Sequence, residues 1–314
     1  MRVFHSFEEV QACPRAVVAL GTFDGVHLGH QKVMQTAIDK ARAIGGTAIT
    51  VTFSAHPFSI LFPAREPLRL ATIEQKLAFI ENIGMDAVVV LPMNQQLIAQ
   101  SHDEFSRQLL ACLQPEAIVV GENFTYGSRA AGNTKTLAHV FSEDRGIPVI
   151  VLPLLENPGK DTPISSTVIR KAVGLGHMEI ARLLLGRPYE LEGDVIHGDK
   201  RGRTIGFPTA NMHLPERMAV PPDGVYVTQV RWQDRLLPAV TNIGANPTFD
   251  VAQSRIETYI FDWHGDLYGQ RIYLLFYKKL RNEIRFNDVK DLTRQMEQDK
   301  INAIGYFKRF TEDF

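Results

Sequence analysis

The decapeptide GTFDGVHLGH, Gly21 to His30, decides how the first half of the chain folds. Before it lies an aliphatic run, Ala16 to Leu20. After it, Val33, Met34, Ala37, Ala41 and Ile44 fall at helical spacing until Gly45 and Gly46 stop them. Strand, glycine turn and helix in that order open an α/β structure. The turn matches neither the GxxxxGK[ST] phosphate loop nor the GxGxxG dinucleotide fingerprint. Its small residues let backbone N–H groups approach a phosphate at a helix N-terminus, where the dipole favours negative charge. His27 and His30, three apart at the mouth of that helix, can address the same phosphate group. A single histidine there is more often a surface or capping residue, so the whole string carries the reading.

Working outward, strand-like runs recur at Ala48 to Phe53, Ala87 to Leu91, Ala117 to Val120 and Pro148 to Leu152. Helical patterns between them open with capping boxes at Thr72 and Gln75 and at Ser101 and Glu104. This alternation predicts a doubly wound, mostly parallel α/β sheet. After about residue 186 the rhythm changes to β-branched and aromatic runs, at Tyr189 to Ile196, Gly224 to Trp232, Leu237 to Ile243, Ile256 to Phe261 and Ile272 to Tyr277. Such runs predict an antiparallel sandwich or small barrel. A final helix is expected, capped by Asn287, with Val289, Leu292, Met296, Ala303 and Phe307 as its apolar stripe. The domains are therefore placed at 1–185 and 186–314, in a chain of 314 residues.

Composition narrows the function classes. Lys plus Arg number 34 against 35 Asp plus Glu, a net charge of -1 that gives no global field for nucleic acid or an anionic membrane. The N-terminus has no apolar signal region, and no aliphatic run nears the ~20 residues of a membrane span. Two isolated cysteines, Cys13 and Cys112, build neither a disulfide framework nor a metal knuckle. A soluble protein of the cytoplasm, acting on phosphorylated small molecules, is the expectation.

Three clusters sit where a parallel sheet would gather them beyond its strand ends. They are Phe53-Ser54-Ala55-His56-Pro57, Gly121 to Gly127 (GENFTYG) and Ile164 to Arg170 (ISSTVIR). Ser165 and Ser166 alone would read as helix caps; beside the HxGH turn, they and Arg170 form a plausible phosphate cradle. In the second half, Gly198 to Asn211 is rich in glycine and basic residues and too irregular for a regular strand. Lys200, Arg201 and Arg203 fit a solvated loop or a flap over phosphates. Thr209 and Asn211, one residue apart, present two hard oxygen donors on the same side of an extended chain, which suits Mg²⁺. Asn242 to Phe249 is a second turn-rich element. Glu257, on a strand, is the candidate base for a primary alcohol.

GTFDGVHLGH, GENFTYG and SSTVIR together resemble the FMN adenylyltransferase module of the prokaryotic bifunctional riboflavin kinase/FAD synthetase family. GFPTAN, NIGANPTF and IETYIFD resemble its riboflavin kinase module, in the same order and over nearly the whole chain. The resemblance implies a six-stranded antiparallel barrel with a C-terminal helix in the second half. It also implies two reactions, riboflavin plus ATP to FMN, then FMN plus ATP to FAD and pyrophosphate. In the first module it implies phosphate handling by His27, His30 and Arg170 with Gly21, Phe23, Asp24, Gly25, Gly29, Asn123, Ser165, Ser166 and Thr167, and flavin binding by Phe53, His56, Pro57, Phe124 and Tyr126. In the second it implies ATP on Gly198, Lys200, Gly202, Arg203, Gly206, Pro208, Thr209 and Asn211, Mg²⁺ on Thr209 and Asn211, and Glu257 as base. Ser54, Ala55 and Asn123 depart from the family pattern and remove negative charge near the phosphates. Two competing readings are a flavin-binding regulatory protein without turnover and an HxGH enzyme for another phosphate acceptor.

Overall fold

The computed structural model describes every residue except 12, 160–161, 199–201, 203–204, 246–253 and 313–314. Lys200, Arg201, Arg203, Asn246, Pro247, Thr248 and Phe249, singled out above, lie outside the described residues. The chain divides into two compact units, Met1–Ser166 and Thr167–Phe314.

The strands of the first unit are β1 (Arg2–Phe4), β2 (Ala16–Leu20), β3 (Thr47–Phe53), β4 (Ala87–Leu91), β5 (Ala117–Gly121), a small antiparallel pair β6 (Thr125–Tyr126) and β7 (Gly132–Asn133), and β8 (Val149–Leu152). Six of them form one parallel sheet in the order β1-β4-β3-β2-β5-β8. Chain order reverses at β2, with β3 and β4 to one side and β5 and β8 to the other. The turn after β2 thus leaves the sheet at its switch point, where open α/β sheets hold ligands. The helices are α1 (Leu28–Ile44), α2 (Phe58–Leu61), α3 (Ile73–Ile83), α4 (Gln95–Ala99), α5 (His102–Leu113) and α6 (Thr134–Ala138). Along β2, Ala16, Val18 and Leu20 enter one core with Phe105, Leu109 and Leu113 of α5. Val17 and Ala19 enter the other with Val33, Met34 and Ala37 of α1 and Ile80 of α3. That period of two, buried on both faces, makes the sheet doubly wound. Both expected capping boxes are present, at Thr72/Gln75 and Ser101/Glu104.

After α7 (Ser166–Gly174) and α8 (Met178–Leu185) come β9 (Tyr189–Ile196), β10 (Thr209–His213), β11 (Gly224–Trp232), β12 (Arg235–Ala245), β13 (Ser254–Ile260) and β14 (Arg271–Arg281), then α9 (Val289–Glu312). The strands close into an antiparallel barrel in the order β10-β13-β12-β11-β14-β9. Ile243, Ile272, Leu274 and Phe276 are fully buried, and the hydroxyls of Thr228, Thr241 and Thr258 bond in a row at 2.8 and 2.9 Å. Helix α8 packs on β14 and β9 and buries Met178, Ala181, Leu184 and Leu185.

Three sequence expectations change. The stretch read as too irregular for a strand ends in one: β10 begins directly after Pro208, whose ring removes a ladder donor and hides the start. The last helix is capped by Asp288, not Asn287, since Asp288 Oδ1 accepts the Asp291 N–H at 2.8 Å. Val289, the first residue of α9, is 59% exposed and lies outside the buried stripe. Ala303 and Phe307 of the stripe do pack against Val227, Phe261 and Tyr277, and a buried ion pair adds to them: Arg281 at the end of β14 donates Nε and Nη2 to Asp299 of α9, the shortest bond being 2.7 Å.

Two outcomes follow for the second unit. A fragment beginning at Thr167 is expected to unfold cooperatively in urea, and one beginning at Gly186 to lose on the order of 3–6 kcal/mol, because three large apolar side chains of α8 no longer cover the barrel; equal midpoints would contradict this packing. Asp299→Ala leaves the Arg281 guanidinium largely buried without its carboxylate and should cost roughly 3 kcal/mol, read by thermal unfolding of the full chain.

Candidate active sites

The turn after β2 is strained. Phe23 and Val26 adopt φ of 50° and 42°, a left-handed conformation unusual for a β-branched residue, and Gly25 has φ 73°. A Cβ on Gly25 would come within 2.9 Å of Leu70, so this position needs glycine. Asp24 Oδ1 accepts the Leu70 N–H at 3.2 Å, and Ser166 Oγ donates to Asp24 O at 2.9 Å. Phe23 is buried, with its ring edge-on to His30 at 5.2 Å.

His27 caps α1, accepting the His30 N–H at a long 3.4 Å, and the two imidazoles stack with centroids 3.5 Å apart. Burial, then the neighbouring His27 and Lys76, hold the His30 imidazole well below the usual histidine range. His30 is therefore neutral at pH 7. Its Nδ1 is buried with no hydrogen-bond partner among the described residues.

At the carboxyl ends of the strands flanking β2 stand Phe53, the last residue of β3, with His56 and Pro57 beyond it, all half-buried, and exposed Asn123 and half-buried Phe124 beyond β5. His56 Nδ1 accepts the Phe58 N–H at 3.1 Å, and Phe58, Leu61 and Phe62 stand 38%, 44% and 51% exposed, an apolar surface no motif flagged. Tyr126 is buried and stacks on Phe124 at 5.5 Å, with its hydroxyl 3.2 Å from Ser106 Oγ; its place is behind Phe124. Ser165 is half-buried and Thr167 exposed, and half-buried Arg170 lies on α7 within the second unit. Sequence reading missed Lys76, a buried cation between Ile73 and Ile80 on the apolar face of α3. Its position inside that stripe was the available signal.

In the barrel, register does the assembly. Asn211 of β10 lies opposite Glu257 of β13, which lies opposite Asn242 of β12, and Thr209 lies opposite Tyr259. Residues two apart share a face, so Thr209, Asn211, Glu257 and Tyr259 form one patch. Arg255 Nη2 holds Glu257 Oε1 at 2.7 Å. A groove of about 330 Å³ runs along this patch, lined by Thr209, Asn242, Glu257 and Tyr259 and by Leu292 and Met296 of α9. A second groove of about 460 Å³, lined by Pro208, Ala210, Thr258, Trp263, His264 and Tyr268, also includes Thr209 in its wall. Asn211 is packed under Gly198, where a Cβ would overlap its amide, and Gly202 approaches Phe207 O as closely. Exposed Gly206 has φ 87° and turns the chain into Phe207, which is buried against Tyr259.

No group of three or more His, Cys, Asp or Glu side chains suited to a metal occurs among the described residues. The hydroxyl of Thr209 and the amide oxygen of Asn211, beside the carboxylate of Glu257, nevertheless match the hard-oxygen chemistry of Mg²⁺, a cation that takes few protein ligands and completes its shell with phosphate and water.

Residues 10–168 match the family model described as FAD synthetase, and residues 185–307 the model described as riboflavin kinase. The chain is 42% identical over 307 residues to the bifunctional riboflavin kinase/FMN adenylyltransferase of Bacillus subtilis, covering 96% of this chain and 95% of that one. It is 33% identical over 317 residues to the protein of the same name from Haemophilus influenzae, covering 98% of each. A crystal structure from Streptococcus pneumoniae described as a macrolide-efflux protein superposes with a TM-score of 0.86 at 31% identity, over 96% of this chain and 97% of that one. No helix among the described residues is long and apolar enough to cross a membrane. Two family models in this order, and relatives matched from end to end, place the chain in the bifunctional riboflavin kinase/FMN adenylyltransferase family.

Proposed function

We propose that the second unit transfers the γ-phosphoryl group of ATP to the 5′-hydroxyl of riboflavin, and that the first transfers the adenylyl group of a second ATP to the FMN so formed. The observation that supports the kinase reading is that two grooves share Thr209 in their linings, one of them holding Glu257. A two-substrate transfer needs an acceptor site and a donor site that touch at the reacting atoms. The apolar groove against α9 takes the flavin and directs its ribityl hydroxyl to Glu257, which accepts the proton as oxygen attacks the γ-phosphorus and ADP leaves. Arg255 keeps that carboxylate oriented. The groove lined by Trp263, His264 and Tyr268 takes the nucleotide, whose phosphates run to Thr209 past Gly202 and Gly198. Thr209 and Asn211 would hold Mg²⁺, which when bound neutralises phosphate charge.

In the first unit an FMN phosphate oxygen attacks the α-phosphorus of ATP and pyrophosphate departs, with no protein nucleophile. The chain contributes position: N–H groups at the start of α1, the stacked His27 and His30, and the strained turn that fixes them. A neutral His30 donates one hydrogen bond or takes up a proton once the phosphates arrive. Phe53, His56 and Pro57, with the exposed Phe58 and Phe62, offer the flavin ring an apolar surface, and Tyr126 supports Phe124 from behind. The kinase residues lie within 186–314 and the transferase motifs within 1–185, although α7 and α8 belong to the compact unit that holds the barrel. Substrates are small molecules, and the place of action is the cytoplasm, in keeping with two unpaired cysteines, Cys13 and Cys112.

Two substitutions separate the activities. His30→Ala should reduce FAD formation by roughly 10²-fold or more while FMN formation continues, measured by chromatography of flavins made from riboflavin and ATP. Glu257→Gln should slow riboflavin phosphorylation by roughly 10²-fold while supplied FMN still becomes FAD. Unchanged kinase turnover in folded Glu257→Gln would place the base elsewhere.

A further inference from the structure

Lys76 is a buried cation that the motifs leave unexplained. It lies in the first half of α3 and is 8% exposed. Its Nζ donates to Phe53 O at 2.8 Å, Thr22 O at 3.2 Å and Thr52 Oγ1 at 3.3 Å. Thr52 Oγ1 in turn donates to Thr22 O at 3.0 Å. An ammonium has three protons, and these oxygens occupy all of them. Two are main-chain carbonyls at or just beyond the ends of neighbouring parallel strands, β3 and β2. An apolar side chain of the same length would fill the space but withdraw the ammonium from Phe53 O and leave Thr22 O with only the Thr52 hydroxyl.

The charged and titratable groups facing Lys76 come from three elements. Asp24 on the turn favours its charge, Arg69 in the segment before α3 opposes it, and His30 on α1 is itself kept neutral in part by the Lys76 charge. Burial outweighs Asp24 and brings the ammonium down to about 8. At neutral pH Lys76 is therefore still mostly protonated, and its charge acts on His30.

We propose that Lys76 is a positioning residue for adenylyl transfer, whose ammonium locks the turn bearing His27 and His30 to the end of β3. The proposal rests on reading that turn as the adenylyl-transfer site. It requires no contact between Lys76 and substrate.

The test follows FAD formation from FMN and ATP against pH. In the wild-type enzyme kcat/KM, which reports the free protein, should fall about tenfold per pH unit above about pH 8. The limb in kcat should move to higher pH, because bound phosphates favour the ammonium. Lys76→Met should lose about 10²-fold in kcat/KM and show no such limb. Lys76→Arg should retain more activity than Lys76→Met and also lack the limb, since a guanidinium does not titrate there. A folded Lys76→Met with wild-type kcat/KM and an unchanged alkaline limb overturns the proposal. Where circular dichroism shows that Lys76→Met does not fold, the wild-type protein decides by NMR: the His30 ring signal should shift with an inflection near pH 8 as Lys76 loses its proton, and a flat signal there overturns the proposal. Wild-type FAD formation by His30→Ala overturns the site reading and the proposal with it, whereas loss in His30→Ala beside a wild-type Lys76→Met overturns the proposal alone.

Discussion

Parallel strands run out of hydrogen-bond partners at their carboxyl ends, and the first unit of this protein meets that constraint with one buried ammonium. Thr22 O and Phe53 O, at the ends of adjacent strands, both accept from Lys76. Everything that makes the turn useful depends on this anchorage. A turn containing Phe23, Gly25 and Val26 at positive φ holds its shape only when its surroundings over-determine it. Lys76, Asp24 against Leu70, and Ser166 against Asp24 are those surroundings. The same charge adds to the burial and the neighbouring His27 that together hold His30 unprotonated.

The second unit reaches its site by a different route. Closing six antiparallel strands removes both sheet edges and fixes each residue's neighbour across the ladder. Asn211, Glu257 and Asn242 are brought side by side by register alone, from three strands. The outer wall of the site is α9, held by the Arg281–Asp299 pair rather than by its first turn. Helix α9 supplies Leu292 and Met296 to the groove that contains Glu257, so it shapes that groove as well as covering the barrel.

Legibility in the sequence followed the range of the interactions involved. Strands β2 and β4 were bounded correctly because each is a continuous aliphatic run buried on both faces, and the capping boxes because they are local hydrogen-bond patterns. The HxGH turn and the Thr209, Asn211 and Glu257 constellation were visible as motifs. What escaped depends on partners distant in the chain. The place of Lys76 inside the apolar stripe of α3 hints at burial, but its role emerges only once its three acceptors, from residues 22, 52 and 53, are in place. Tyr126 reads as an exposed aromatic in a binding loop, yet Ser106 and Phe124 draw it inward. The neutrality of His30 comes from burial and from two cationic or potentially cationic neighbours, which spacing alone does not encode. Strand β10 was hidden by the proline before it, and its pairing with β13 and β9 supplies the order its own composition lacks.

The central claim is that one chain carries two chemically distinct phosphorus transfers, one at the γ- and one at the α-phosphorus of ATP. Following isotope from the two positions through the full-length protein, with riboflavin as the sole flavin, tests it directly. Label from γ-labelled ATP should appear in FMN and in the flavin-side phosphate of FAD, and label from α-labelled ATP in FAD only, on its adenosine side. α-Label in FMN, or FAD carrying no γ-label, would contradict the account.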